Sequence, residues 1–228
     1  MTTPPPISFP RLLITAGPTH EPIDRVRFIG NRSSGRLGIA LAETAAKTGW
    51  SVRLLLGPTC LTPSDSRIDL IRFQTAADLE RLLQTHVPTC DCLVMAAAVA
   101  DYRPKPPTAG SPDHQGKIKR TDQPIILELE PTNDLLAGVA TYRRPDQTIV
   151  GFALEPRARM LDSARSKLDR KKLDLIVANP LDTMDSPIIE ATIISPNGVV
   201  YAGPPLAKER FAQTLLILLT SEHARRAL

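Results

Sequence analysis

A chain of 228 residues with 42% apolar and 23% charged side chains can form one large globular domain or two small ones. Its net charge of +4 is dispersed and aromatics make up only 4%, so an anionic small molecule is expected as ligand rather than a nucleic acid. The three cysteines lack paired spacing and the four histidines are scattered, which excludes a zinc framework, and no apolar run approaches the ~20 residues of a membrane span.

The opening "MTTPPPISFP" has no apolar signal core. Residues 1–10 therefore read as a disordered lead, residues 11–228 as a single domain, and the location as cytoplasmic. "RLLITAG" (Arg11 to Gly17) is a short aliphatic run ending in glycine, the mark of a buried strand. From Gly35 the pattern turns helical, with Leu37, Leu41 and Ala45 at i, i+4, i+8, an i, i+4 pair in Glu43 and Lys47, and a stop at Gly49. "SVRLLLGPT" is the next strand, so the chain opens with a β–α–β unit and a right-handed crossover.

The alternation continues. "LIRF" is a short strand, Ala76 to Thr85 a helix, and "CLVMAAAVADYRP" a strand running into a loop. The proline-rich stretch from Pro104 to Pro112 reads as a loop, and "IILELE" (Ile125 to Glu130) as a half-exposed strand. "NDLLAGVATYR" is a short helix capped by Asn133 or Asp134. "TIVGFALE" is a strand, Ala158 to Lys171 a helix, and "LDLIVANP" a strand. "ATIISPNGVVYAG" forms a hairpin appendage and Ala207 to about Arg225 a closing helix. One doubly wound α/β domain with a mostly parallel sheet follows.

One connection is out of proportion. Gly17 to Ser34 separates the first strand from the first helix, where ~2–6 residues are usual, and it is rich in charge. In such sheets ligands sit at the carboxyl ends of the strands, so Gly17 to Gly35, Gly57 to Thr59, Ala96 to Arg103 and Phe152 to Glu155 should converge. Ser33, Ser34 and Gly35 at a helix amino terminus suit a phosphate, or one serine is simply the N-cap. A dinucleotide site expects GxGxxG directly after the first strand and an acid ending the second, but the second ends in Gly57-Pro58-Thr59.

Three further features have two readings each. "KIKR" places Lys117 and Lys119 on either a strap that closes over phosphates or a solvated charge run. Lys167 and Lys171 lie on one helix face, as an anion cradle or as ordinary basic surface. Asp101, beyond the small residues "AAAVA", can accept from a hydroxyl or amine, help hold Mg²⁺, or cap. The inventory has no Ser/His/Asp set, reactive-cysteine setting or carboxylate pair, and suits chemistry run by positioning and charge on phosphates.

"LITAGPTHEPIDRVRFIGNRSSGRLGIALAE", "AAAVADYRP", "KIKR", "NDLLAGVA", "IVGFALE" and "KKLDLIVANP" occur in that order, and together they resemble the phosphopantothenate–cysteine ligases of coenzyme A biosynthesis. The resemblance spans roughly Leu12 to Asn179, and its TxEPIDxVRFIxNRSSG block is specific. It implies a Rossmann-like fold with helices on both faces of the sheet and a C-terminal β-hairpin plus helix. It also implies a homodimer with a shared active site, acting on 4′-phosphopantothenate, L-cysteine and CTP with Mg²⁺ through an acyl-cytidylate. By position, Asn31, Arg27 and Ala98 should meet the acyl substrate, with Asn31, Arg27 and Lys117 catalytic. Gly17, Ser33, Ser34, Gly35, Met95, Ala96, Ala97, Asp101, Lys117, Asn133, Asp134, Leu135, Leu136, Phe152, Lys167 and Lys171 should meet the nucleotide.

The chain departs from the pattern at Thr132-Asn133-Asp134-Leu135, which lacks the usual proline, and at Arg25, Gly30 and Pro156. Relatives are often fused behind a flavin-dependent phosphopantothenoylcysteine decarboxylase. Beginning at Met1, this chain is expected to be free-standing or an excised half, with such a decarboxylase as its functional partner. The alternatives are an NAD(P)-dependent reductase and a non-catalytic nucleotide-binding dimer.

Overall fold

A computed structural model describes residues 10–105, 116–120, 122–184 and 186–226. The readings made for the lead (residues 1–9) and for most of the proline-rich stretch lie outside the described residues.

The eight-stranded sheet is built on β1 (Arg11–Ala16), whose aliphatic run is buried from Leu12 onward. On one side β1 pairs in parallel with β4 (Ser51–Leu56), and β4 with β5 (Asp69–Arg72). On the other side it pairs in parallel with β6 (Cys92–Met95), which leads to β9 (Thr148–Glu155) and β10 (Leu175–Pro180). The order β5-β4-β1-β6-β9-β10 reverses direction between β1 and β6, the doubly wound arrangement that the alternation predicts. β12 (Thr192–Ser195) runs antiparallel to β10 and pairs with β13 (Gly198–Ala202), so the hairpin is not an appendage but completes the sheet edge. A further small pair, β11 (Ile188–Ile189) with β14 (Leu206–Ala207), is absent from the sequence reading.

The period-two side-chain alternation divides the core between two faces. Leu12, Ile14, Leu54, Val94 and Val177 point to α1 (Arg36–Lys47) and the closing helix α5 (Lys208–Arg226). Leu13, Leu55, Leu93, Ile149 and Ile176 point to α2 (Ala76–His86), α3 (Leu135–Val139) and α4 (Met160–Arg170). Each fully buried leucine or isoleucine contributes about 1.5–3 kcal/mol, and aliphatic side chains dominate both clusters. α4 is shorter than the expected Ala158 to Lys171, because Arg157–Arg159 forms a 3-10 turn before it. α2 is closed by a capping box between Thr75 and Asp78, and buried Glu21 accepts from the Ala76 N–H at 2.8 Å.

The long connection after β1 is not irregular. It folds as an antiparallel pair, β2 (His20–Pro22) and β3 (Phe28–Gly30). Beside it stands a second pair, β7 (Tyr102–Pro104) with β8 (Leu129–Pro131). The "IILELE" segment therefore contributes to a strand only at Leu129 and Glu130, while Ile125 to Glu128 are exposed and outside any element. Three-residue strands leave too little alternation to be read in advance.

α1 lies close against β1 because Gly38 has no side chain. A Cβ there would stand 2.4 Å from the Ala16 Cβ. Gly38→Ala should therefore overpack the α1–β1 contact by about 1–3 kcal/mol and lower Tm by roughly 5 °C. A melting point unchanged in differential scanning calorimetry would show that helix and strand part at no cost.

Candidate functional site

Past Ala16 and Met95 the two central strands stay joined. The Ala96 N–H donates to the Thr15 carbonyl (3.0 Å), Ala98 N–H to Gly17 (2.9 Å), and Thr19 N–H to Ala98 (3.2 Å). The buried Thr19 hydroxyl accepts from Ala100 N–H at 3.0 Å. This backbone ladder is the floor of a cleft of about 790 Å³ at the topological switch point. Residues 30–38, 95–101 and 132–136 line it, with Phe152, Leu154, Lys167, Lys171, Asn179, Thr183, Met184, Ile189 and Lys208.

The amino terminus of α1 opens on this cleft. Its N-cap is Gly35, in the left-handed region at φ 72°, with no side-chain cap bond and no acidic residue in the first turn. A Cβ at Gly35 would approach the Gly17 nitrogen to 3.2 Å, so the backbone turns here only because the residue is glycine. Ser33 and Ser34 make only long contacts, 3.4 and 3.5 Å, to the Gly35 and Arg36 N–H groups. The N-cap alternative is thus not realised, and donors at the positive end of a twelve-residue helix are left to the cleft. Thr59 supports the turn from behind, donating to the Ser34 carbonyl at 2.9 Å, while Gly57 packs on Gly17.

The opposite wall carries the lysines. Lys171 Nζ lies 2.9 Å from the Asp134 carboxylate and Lys167 Nζ 2.7 Å from Glu155. The i, i+4 repulsion is thus answered by two carboxylates rather than by bare solvent. Asp134 also caps α3, accepting from Ala137 N–H at 3.1 Å. Burial works to raise its carboxyl, but the Lys171 bond and the Ala137 N–H outweigh it and hold the group below the ordinary range.

Asn31, Ser33, Ser34, Gly35, Met95, Ala96, Ala97, Ala98, Asp101, Asn133, Asp134, Leu135, Leu136, Phe152, Lys167 and Lys171 all line the cleft. Asn31 donates its amide to the Val99 carbonyl at 2.8 Å, which fixes the amide plane at the rim. Three expected residues do not line it: Gly17, Arg27 and Lys117. Gly17 belongs to the ladder but is covered by Gly35, where a Cβ would meet its nitrogen. Arg27 is engaged elsewhere, in an ion pair with buried Asp24 and a 2.9 Å bond to the Ile118 carbonyl. Asp24 also accepts from Ile118 N–H at 3.0 Å, so the pair grips both backbone groups of the residue beside exposed Lys117.

Gly38, Thr132, Asn179, Thr183, Met184, Ile189 and Lys208 line the cleft without having been singled out. Gly38 was visible as the glycine three after Gly35, and Asn179 to Met184 follow from applying the carboxyl-end rule to β10. Cys90 and Cys92 are buried at the far end of β6, and burial pushes the Cys90 thiol up to about 12, which suits inert packing. Among the described residues, no three of His, Cys, Asp and Glu gather as a metal site, and no helix is long and apolar enough to cross a membrane.

Fold and cleft define an α/β protein with an uncapped helix terminus opening on a cleft at the switch point of its sheet. Residues 8–222 match the family model described as the DNA/pantothenate metabolism flavoprotein C-terminal domain, and the chain belongs to that family. It is 43% identical over 178 residues to the coenzyme A biosynthesis bifunctional protein CoaBC of Mycobacterium tuberculosis, covering 74% of this chain and 41% of that protein. It is 44% identical over 176 residues to a cysteine/cysteine sulfinic acid decarboxylase from an unknown prokaryotic organism, covering 77% of this chain and 47% of that one. The chain thus spans less than half the length of these curated relatives. A crystal structure of the C-terminal domain of a CoaBC protein superposes with TM-score 0.76 at 33% identity, covering 93% of this chain and 94% of that one.

The Asp24–Arg27 pair generates a pH signature. The Arg27 hydrogen bond, opposed by burial and aided by the Val26, Arg27 and Ile118 N–H groups, holds the Asp24 carboxyl far below its ordinary value. A depressed folded-state pKa gives stability that is complete above the unfolded value, about 4, and is lost as pH falls through the folded one. Asp24→Asn should lower Tm by a constant amount between roughly pH 5 and 8, with the gap shrinking below about pH 4. A gap independent of pH down to acid unfolding would show that the Asp24 charge contributes nothing.

Proposed function

We propose that this domain is a phosphopantothenate–cysteine ligase that activates the 4′-phosphopantothenate carboxylate with a nucleoside triphosphate, CTP by preference, and joins it to L-cysteine. The observation that carries the reading is the uncapped amino terminus of α1, rimmed by Ser33, Ser34 and Gly35, facing Lys167 and Lys171 across the switch-point cleft. That arrangement suits a polyphosphate held by backbone donors and cations. Family membership and the CoaBC likeness support the same reaction.

In the first step a carboxylate oxygen attacks the α-phosphorus and pyrophosphate leaves. The α1 terminus and the lysines would stabilise charge on the transferring oxygens. In the second step the cysteine amine attacks the acyl carbon and CMP leaves, with Asn31 at the rim holding the acyl group in line. Magnesium, if bound, would supply neutralisation of phosphate charge, and one or two carboxylates beside phosphate oxygens would be enough to hold it. Asp101, exposed on the cleft wall, is the carboxylate best placed to receive it.

The domain would work as a homodimer. Val26, Phe28, Tyr102, Ile125, Ile126, Leu127 and Leu129 are exposed on and beside the two small pairs, with Ile126 at 93%. A surface so apolar is suited to a second copy. The cytoplasm, where these substrates occur, is the expected location, and a flavin-dependent decarboxylase acting on the product is the expected partner.

A coupled pyrophosphate assay with phosphopantothenate and CTP, ATP or NADPH, with and without cysteine, tests the reading. CTP-dependent pyrophosphate release followed by cysteine-dependent amide is expected. Asn31→Asp should keep the first and impair the second, and Lys117→Gln should block both. NADPH oxidation without pyrophosphate release would overturn the ligase. Ile126→Asp should convert the dimer to monomer in sedimentation velocity, and an unchanged sedimentation coefficient would remove this surface from the interface.

A further inference from the structure

The cleft wall between β8 and α3 begins with three residues, Thr132 to Asp134, that belong to neither element. They are nonetheless tied at every position. Thr132 donates its N–H to the Asp101 carbonyl at 2.9 Å and its hydroxyl to the Ala100 carbonyl at 2.6 Å. Asp134 is held by Ala137 N–H and Lys171. Between them, Asn133 Nδ2 donates to both carboxylate oxygens of Glu80, at 3.0 and 3.2 Å.

Glu80 does not line the cleft. It stands on α2, which is fixed by its capping box and by buried Leu79 and Leu83. A charge-assisted bond from a rigid helix restrains an otherwise unsupported residue, and through Asp134 the restraint reaches Lys171. We infer that Glu80 is a positioning residue for the nucleotide: it holds the 132–136 wall in its binding conformation from outside the site. This rests on the ligase reading above only in taking the bound ligand to be a nucleoside triphosphate.

The test is isothermal titration of CTP and ATP, with Mg²⁺, into the whole chain and its Glu80→Ala and Glu80→Gln variants. Freeing a residue that binding must then reorder should weaken Kd about fivefold in Glu80→Ala. Glu80→Gln keeps an acceptor and should stay within about twofold of wild type. In turnover, Glu80→Ala should raise the nucleotide KM and leave kcat at saturation unchanged. Wild-type affinity in Glu80→Ala overturns the inference alone. So does a Glu80→Gln variant that is as weak as Glu80→Ala while the unliganded Tm of both has fallen, because the defect is then one of α2 packing. Wild-type protein that binds neither nucleotide overturns this inference and the ligase reading together.

Discussion

The cleft exists because β1 and β6 remain hydrogen-bonded for several residues beyond the sheet proper. Thr15, Gly17 and Thr19 on one side and Ala96, Ala98 and Ala100 on the other form a continuous ladder. In an open α/β sheet the chain diverges at this point, above one face on one side and below on the other. Here the divergence is postponed. The extra rungs satisfy backbone groups that would otherwise need water, and their small side chains leave a flat surface for a ligand. The two small strand pairs, the Asn31 rim and the Thr132 wall are all attached to this platform, through Val99, Ala100 and Asp101.

Much of this was legible in the residues. Aliphatic runs ending in glycine mark β1 and β4, and Leu37, Leu41 and Ala45 mark the inward stripe of α1, although Glu43 binds Ser64 rather than only balancing Lys47. The carboxyl-end rule points to Gly17 to Gly35, Gly57 to Thr59, Ala96 to Arg103 and Phe152 to Glu155; residues 30–35 and 96–101, Phe152 and Leu154 line the cleft, while Gly57 to Thr59 only support its turn from behind. What was not legible depends on long-range contacts. β2, β3, β7 and β8 are too short to show a period, and they form because Glu21 reaches the α2 terminus and β8 finds β7. Arg27 pairs locally with Asp24, but its bond to the Ile118 carbonyl spans 91 residues of sequence, and no local pattern announces it. Likewise, the carboxylate partners of Lys167 and Lys171 lie 12 and 37 residues away.

Ion pairs stand at both ends of the sheet. At the amino ends of the strands, buried Asp174 binds Arg143 at 2.7 Å, Arg226 and the Ile149 N–H at 2.6 Å. Asp91 ties Arg11 to Arg144 nearby. These pairs bind the closing helix and three strands together at the pole away from the cleft, and removing one partner of such a buried charge is costly. The end of the sheet away from the cleft is thus tied by buried charge, as Asp24 and Arg27 tie the connection beside the cleft.

The pairing of Lys167 with Glu155 and of Lys171 with Asp134 also bears on which anions the cleft admits. Each lysine already has a carboxylate within hydrogen-bond reach, and the four groups sum to no net charge. An anion must therefore outcompete a tethered carboxylate, whose effective concentration is high. Chloride is a single point charge and inorganic phosphate a single compact one, so neither would displace both partners at once. A chain of phosphates can engage the helix terminus and both lysines together. Under the proposed reading the internal carboxylates would act as a threshold, favouring anions that bind through several groups over the simple ones that surround the cleft.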